Sequence, residues 1–375
     1  NHILLILFTI DDLRIFMTRK IKNLLIAASG TGGHILPALT IVENLDKNWK
    51  INWLGIQNRC EINLVPKEYN LFTLNIDSPK GNNLSVIIKY LKLLIATFSV
   101  IRLIIIRKIN LVFATGGYIS VPSIIAAKLL NIPILIHESN IVPGLATKYF
   151  GRYCNLVLTG FKETATYLKG CNTHFTGTPL RNQFYIYNDM PSWVPAGNGP
   201  LIIVMGGSQG AKAINDAIYN LLDFLNDHNF RLVHILGDAI DPKYVHKKNK
   251  NYIPIVFTNE IAALMQNCDL VISRSGSGAI NEIIKTKSPS ILIPYPYAKE
   301  NHQEKNALIL SSIGGSIMIK QNKNLENNLK RNLERIFNKG SNYSKNKYKN
   351  LTIMKKNLSE LNLKDPRNEI KKIIN

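Results

Sequence analysis

The chain has 375 residues, 46% apolar and 19% charged, enough for two domains with separate cores and too apolar for a disordered chain. Its formal net charge is +21, yet no recognition helix, zinc finger or RNA-binding sheet motif accompanies that charge, so nucleic acid is not an expected partner. The four cysteines, Cys60, Cys154, Cys171 and Cys268, are scattered without a C-x-x-C pair, which excludes a cysteine zinc site and fits a reducing, cytoplasmic setting.

The first 16 residues hold a short apolar run broken by Asp11 and Asp12, too short for a membrane span and without the features of a signal peptide. Met17 is the expected start, with residues 1–16 as an extension. Leu24 to Ala28 reads as a fully buried strand. It runs into "SGTGGH" (29–34) and then an apolar segment with helical prospects. A strand, a glycine turn and a helix place free amides and the positive helix end where an anion can sit. His34 is not needed for cradling phosphate; it suits proton transfer. The spacing does not match a dinucleotide fingerprint, because Ile35 stands where the third glycine belongs.

Segment 83–110 spaces Leu84, Ile87, Ile88, Leu91, Ile95 and Phe98 helically, with Lys89, Lys92, Arg102, Arg107 and Lys108 among them. Two readings stay open there. It is an interfacial helix with basic flanks, or a helix buried against a sheet for most of its length, the reading favoured here. The strand–glycine–helix unit returns in "LVFATGGYISVPSIIAAKLL" (111–130) and in "LIIVMGGSQGAKAINDAIYNLL" (201–222). Between and after them lie the apolar runs "IPILIHESN" (132–140), "LVLTGF" (156–161), "LVHILG" (232–237), "LVISRSGSG" (270–278) and "SILIPYP" (290–296). Alternating apolar strands and helices predict parallel sheets covered by helices. "GTPLR" (177–181) offers Arg181 to a diphosphate, and Glu282 suits ribose hydroxyls. A stretch rich in Pro, Gly and Asn (187–200) reads as a linker.

Together "GTGGH", "GGYISVP", "IPILIHESN", "GTPLR", "GGSQGA", "SRSGSGAINE" and "HQEKNA", in this order over residues 24–310, resemble the MurG family of bacterial N-acetylglucosaminyltransferases. The resemblance implies an α/β fold of GT-B glycosyltransferase architecture: two Rossmann-like, doubly wound parallel-sheet domains closing over a cleft. Residues 17–185 would form the acceptor- and membrane-facing domain, 186–199 the linker, 200–340 the UDP-N-acetylglucosamine domain and 341–375 a basic helical tail. It implies donor contacts at Thr31, Gly32, Gly33, Asn140, Arg181, Ser208 and Gln303, with Glu282 on the ribose and the backbone near Thr258 on the uracil. His34, Tyr118, His137 and Glu138 would line the acceptor side. His34 is the expected base, and Glu138 either shares that work or orients a histidine. The expected partners are UDP-N-acetylglucosamine, an undecaprenyl-linked muramoyl-pentapeptide acceptor and the inner leaflet of the cytoplasmic membrane, met peripherally through the patch at 84–108. No D-x-D pair is present, so the amides of "GGSQG" and Arg181 are expected to replace a metal, and no cofactor is expected.

Overall fold

The structure, a computed structural model, describes residues 22–30, 32–59, 61–76, 83–207, 209–238, 241–247, 249–337, 348–361 and 364–375. The expected extension (1–16) and the donor residues Thr31 and Ser208 lie outside the described residues. The chain divides into two compact units, 1–181 with 363–375, and 182–362.

The first unit is built on a parallel seven-stranded sheet: β1 (Lys22–Ala27), β2 (Trp49–Ile56), β3 (Asn70–Leu74), β4 (Leu111–Ala114), β5 (Ile134–Glu138), β6 (Leu156–Thr159) and β7 (Thr173–Phe175). Their spatial order is β3-β2-β1-β4-β5-β6-β7. β1 shows why the unbroken apolar reading works. Its residues alternate between two cores, Leu24 and Ile26 on one face with Ile35, Trp53 and Phe113, Leu25 and Ala27 on the other with Val100, Ile124 and Ile136. Helices cover both faces, so Leu24 to Ala27 are all buried whichever way they point.

The second unit repeats the plan with six parallel strands: β8 (Leu201–Met205), β9 (Arg231–Ile235), β10 (Tyr252–Ile255), β11 (Leu270–Ser273), β12 (Ser290–Leu292) and β13 (Ser316–Met318). The order is β10-β9-β8-β11-β12-β13. In both sheets the strand order reverses beside the first strand, between β1 and β4 and between β8 and β11. Ligands of open α/β sheets bind outside the carboxyl ends of the strands at such a reversal. All four strands flanking the two reversals lead into the glycine motifs singled out above.

Two expectations change. The helix Asn83–Ile106 is not buried for most of its length: Ile87, Leu91, Ile95 and Phe98 are exposed, Phe98 at 70%. The buried stripe is instead Ala96, Val100 and Ile104, four residues apart and packed on the sheet core. The stretch read as a linker hydrogen-bonds to the helix Ile261–Asn267 and the residue before it. Asn188 accepts from Asn267 Nδ2 and donates to Gln266 Oε1, and Trp193 Nε1 donates to Glu260 Oε2. The expected tail is also split. Leu351, Met354 and Leu358 of the helix Lys349–Ser359 are buried, Leu351 and Met354 in the core of the second unit. The last helix, Pro366–Ile374, returns to the first unit and buries Ile370 and Ile374 beside Leu24 and Ile26. Asp365 caps that helix through Arg367 N, and Asn375 Oδ1 accepts from the Trp49 indole.

Candidate active site

In the first unit, the exit from β1 is held by its neighbour β2: Ala28 N donates to Leu54 O, and the Trp53 indole donates to Ala28 O at 3.0 Å. Gly30 turns the chain at φ +105°, a region that favours glycine, and the helix Gly32–Asn44 begins at once. Gly33 is exposed, and Gly32 and His34 are half-buried. His34 Nδ1 lies 2.6 Å from the carbonyl of Thr115, just beyond β4. A carbonyl only accepts, so Nδ1 carries the hydrogen and Nε2 holds the lone pair of the neutral ring. Gly116 and Gly117 follow at φ +82° and +73° and bring the backbone against this ring. A Cβ on Gly116 would stand 3.6 Å from His34 Cε1 and 3.6 Å from Thr147 Oγ1. Tyr118 lies half-buried in the same turn.

His137 and Glu138 end β5, and neither is free to act on a substrate. His137 is fully buried. Its Nε2 donates to Gly177 O at 3.0 Å and its Nδ1 accepts from Ser139 Oγ at 3.3 Å. Burial pushes its pKa down, opposed by the Gly177 carbonyl and the Glu138 charge, so the ring is held neutral. This departs from its expected place lining the acceptor side: a ring without exposed surface orders the "GTPLR" loop from beneath. Glu138 is 3% exposed and its four acceptor positions are used. Oε1 accepts from Asn140 N and Nδ2, and Oε2 accepts from Gly144 N and Thr147 Oγ1. Arg181, half-buried, closes this unit.

In the second unit, β8 leads into Gly206, where a Cβ would come 2.4 Å from Ala211 N, so the turn folds tightly on itself before the helix Lys212–Asn220. Below it lies a buried polar chain. Asn215 Nδ2 donates to Leu236 O, which leaves Asn215 Oδ1 to accept from His234 Nε2, while His234 Nδ1 accepts from Tyr252 Oη at 3.0 Å. Burial pushes the His234 pKa down to about 3. Beyond β11, Arg274 donates to Ile293 O, Pro294 O and Gln321 Oε1, tying strand ends together. Burial lowers its pKa to about 10, which keeps it charged at neutral pH. Ser275 Oγ donates to Gln303 O, and Gln303 Oε1 accepts from Tyr295 N, leaving the Gln303 amide nitrogen to donate elsewhere. Glu282 is half-buried on the helix Ser277–Thr286. Thr258 Oγ1 accepts from Glu260 N, so its side chain shapes the loop.

Residues 24–159 match the glycosyltransferase family 28 N-terminal domain and residues 201–361 the family 28 C-terminal domain. The chain belongs to glycosyltransferase family 28. Curated relatives agree. A protein of Prochlorococcus marinus (strain AS9601), named UDP-N-acetylglucosamine–N-acetylmuramyl-(pentapeptide) pyrophosphoryl-undecaprenol N-acetylglucosamine transferase, is 58% identical over 96% of this chain and 98% of its own length. One of the same name from strain MIT 9312 is also 58% identical, with the same coverage. Among solved structures, Acinetobacter baumannii MurG superposes with a TM-score of 0.73 at 24% identity, over 94% of this chain and 99% of its own, a likeness of fold. The chain is thus a glycosyltransferase of the MurG kind, α/β and of GT-B type. Within this family 28 chain, His34, Gly116 and Thr147 meet in one cluster, in which Glu138 holds Thr147. Sequence reasoning missed Thr147 and the pair Asn215–His234: Thr147 and Asn215 lie inside helices, outside the motifs, and His234, near the end of β9 in "LVHILG", was read only as part of an apolar run. Among the described residues, no group of three or more His, Cys, Asp or Glu is placed to hold a metal ion.

Proposed function

We propose that the chain transfers N-acetylglucosamine from UDP-N-acetylglucosamine to the 4-hydroxyl of undecaprenyl-diphospho-N-acetylmuramoyl-pentapeptide, the lipid I to lipid II step of peptidoglycan synthesis. The substrates follow from the names of relatives at 58% identity. The chemistry rests on one observation, the His34–Thr115 bond that reserves Nε2 as a proton acceptor. In a single displacement the acceptor hydroxyl gives its proton to Nε2, its oxygen bonds the anomeric carbon, and UDP leaves with the electrons of the broken carbon–oxygen bond. Glu138 positions the loop through Thr147 and Asn140 and takes no proton, since its oxygens are all engaged. Amides of the "GGSQG" turn, with Ser208, and Arg181 meet the diphosphate. Glu282 takes the ribose, Thr258 the uracil through its backbone, and Gln303, Asn140, Thr31, Gly32 and Gly33 complete the donor contacts. Tyr118 faces the acceptor.

The acceptor's polyprenyl chain lies in a bilayer, yet no helix among the described residues is long and apolar enough to cross one. The exposed apolar face of Asn83–Ile106, with Lys89, Lys92, Arg102, Arg107 and Lys108 on the same helix and its exit, is our docking surface on the inner leaflet at the cytoplasmic face. The stereochemistry tests the reaction. NMR of the product made from UDP-N-acetylglucosamine and a short-chain acceptor should show inverted anomeric configuration; retention would exclude a single displacement. An enzyme that turns over UDP-N-acetylglucosamine without any lipid acceptor would point to epimerase chemistry instead.

A further inference from the structure

Beneath the turn that leads to His34 lies a buried carboxylate that the reaction does not use. Glu61 opens the short helix Glu61–Leu64 after β2 and is fully buried. Its Oε1 accepts from Ile56 N at 2.6 Å, and its Oε2 accepts from Gly30 N at 3.4 Å. Burying a carboxylate is costly unless hydrogen bonds replace its water, and the described partners of Glu61 are these two amides. One belongs to the end of β2 and the other to the left-handed glycine four residues before His34. The room for it comes from Gly55, where a Cβ would lie 2.6 Å from Glu61 Cγ. With the Trp53 and Leu54 bonds to Ala28, the whole stretch Ala28–Gly30 is fastened to β2 and its exit.

We infer that Glu61 is a positioning residue for the transfer: it fixes the glycine turn, and so the start of the helix and the seat of the His34 ring against Thr115 O. The inference rests on the proposed role of His34 as base. Both partners of Glu61 are N–H donors, so the task needs an acceptor on each arm. Glu61→Gln sets an NH2 group against one amide and loses that arm while keeping the size. Gly55→Ala leaves the charge intact and displaces the carboxylate from the other side.

The test uses the full chain as wild type, Glu61→Gln and Gly55→Ala. Circular dichroism checks folding, kcat and KM are taken for UDP-N-acetylglucosamine, and long-range 15N spectra of histidine-labelled protein read the His34 tautomer, assigned by subtraction with His34→Ala. Small misplacement of a catalytic group costs up to about a hundredfold, so both variants should lose about ten- to a hundredfold in kcat. Donor KM should rise as well, because the proposed donor contacts Thr31, Gly32 and Gly33 sit on the same turn. The His34 signal should move from a single Nδ1–H tautomer to a mixture. Folded variants with wild-type kcat, or with lowered kcat and an unchanged His34 tautomer, overturn the inference. Should Glu61→Gln not fold, Gly55→Ala decides alone. A wild-type chain without transfer would overturn the proposed function, whereas the spectra would still report whether Glu61 governs His34.

Discussion

His34, His137 and His234 carry the same ring, and their hydrogen bonds and burial give them different work. Each has one nitrogen assigned by an oxygen that can only accept: Thr115 O, Gly177 O and Asn215 Oδ1. His137 and His234 have the second nitrogen occupied by a hydroxyl, Ser139 and Tyr252, and both are buried. From sequence, His34 is the expected base and His137 lines the acceptor side, because a motif predicts position and not depth. Burial decides between them. The buried pair also predicts a pH dependence. For His234 the folded pKa is near 3 against an ordinary 6.5, so below pH 6.5 the unfolded chain binds a proton that the folded chain refuses. Stability contributed by the neutral ring is therefore full above pH 6.5 and falls by about 1.4 kcal/mol per pH unit as pH drops toward 3. Thermal melts from pH 7 to 4.5 should show a steeper acid loss for wild type than for His234→Phe, at the cost of lower stability for the variant at pH 7. A second prediction concerns Glu138. Glu138→Gln sets an amide NH2 against donors, leaves at least one buried partner unsatisfied at about 1–3 kcal/mol, and lowers kcat through the displaced loop without abolishing transfer. Loss equal to that of His34→Ala would instead make Glu138 a base.

At the scale of elements, glycine turns were legible because their chemistry is local, and helix faces were not. The run 83–110 has the same apolar spacing whether its stripe meets a sheet or a membrane, and only the fold shows that Ala96, Val100 and Ile104 face inward while Leu91, Ile95 and Phe98 face out. If that face docks on lipid, replacing Lys89, Lys92 and Arg102 by Ser removes about 1 kcal/mol each from binding to anionic vesicles, a loss of about a hundredfold for the three. Unchanged sedimentation with vesicles would end that reading. The last helix was read as tail because its Lys-rich composition hides two buried isoleucines four residues apart. Burial of Ile370 and Ile374 contributes about 1.5–3 kcal/mol each, a large part of the stability of an ordinary domain. Truncation before Asp365 should therefore melt the first unit early and expose it to protease. Pro366 also packs on Gly177, where a Cβ would stand 2.9 Å away, so the terminal helix reaches the loop that holds His137.

For the molecule as a whole, the doubled strand–glycine–helix pattern was enough to read two doubly wound sheets, because buried parallel strands are unbroken apolar runs. Among the strands left unread, β3, β10 and β13 are short and at sheet edges, where half-burial blurs the apolar pattern, while β2 is mostly buried but carries Lys50 and Asn52 inside its apolar run. The site was legible as motifs and not as a mechanism: His34 was the expected base, with Glu138 sharing that work or orienting a histidine. The hydrogen bonds support the proposal that His34 is the base and Glu138 the brace. The most direct measurement follows labelled sugar from UDP-N-acetylglucosamine onto a short-chain lipid-linked muramoyl-pentapeptide, with chelator present, for wild type and His34→Ala. The account predicts transfer by the wild type that survives the chelator and falls by about 10²–10⁴ in the variant, the range for loss of a general base. Donor binding with no transfer to this acceptor, or undiminished transfer by His34→Ala, would contradict it.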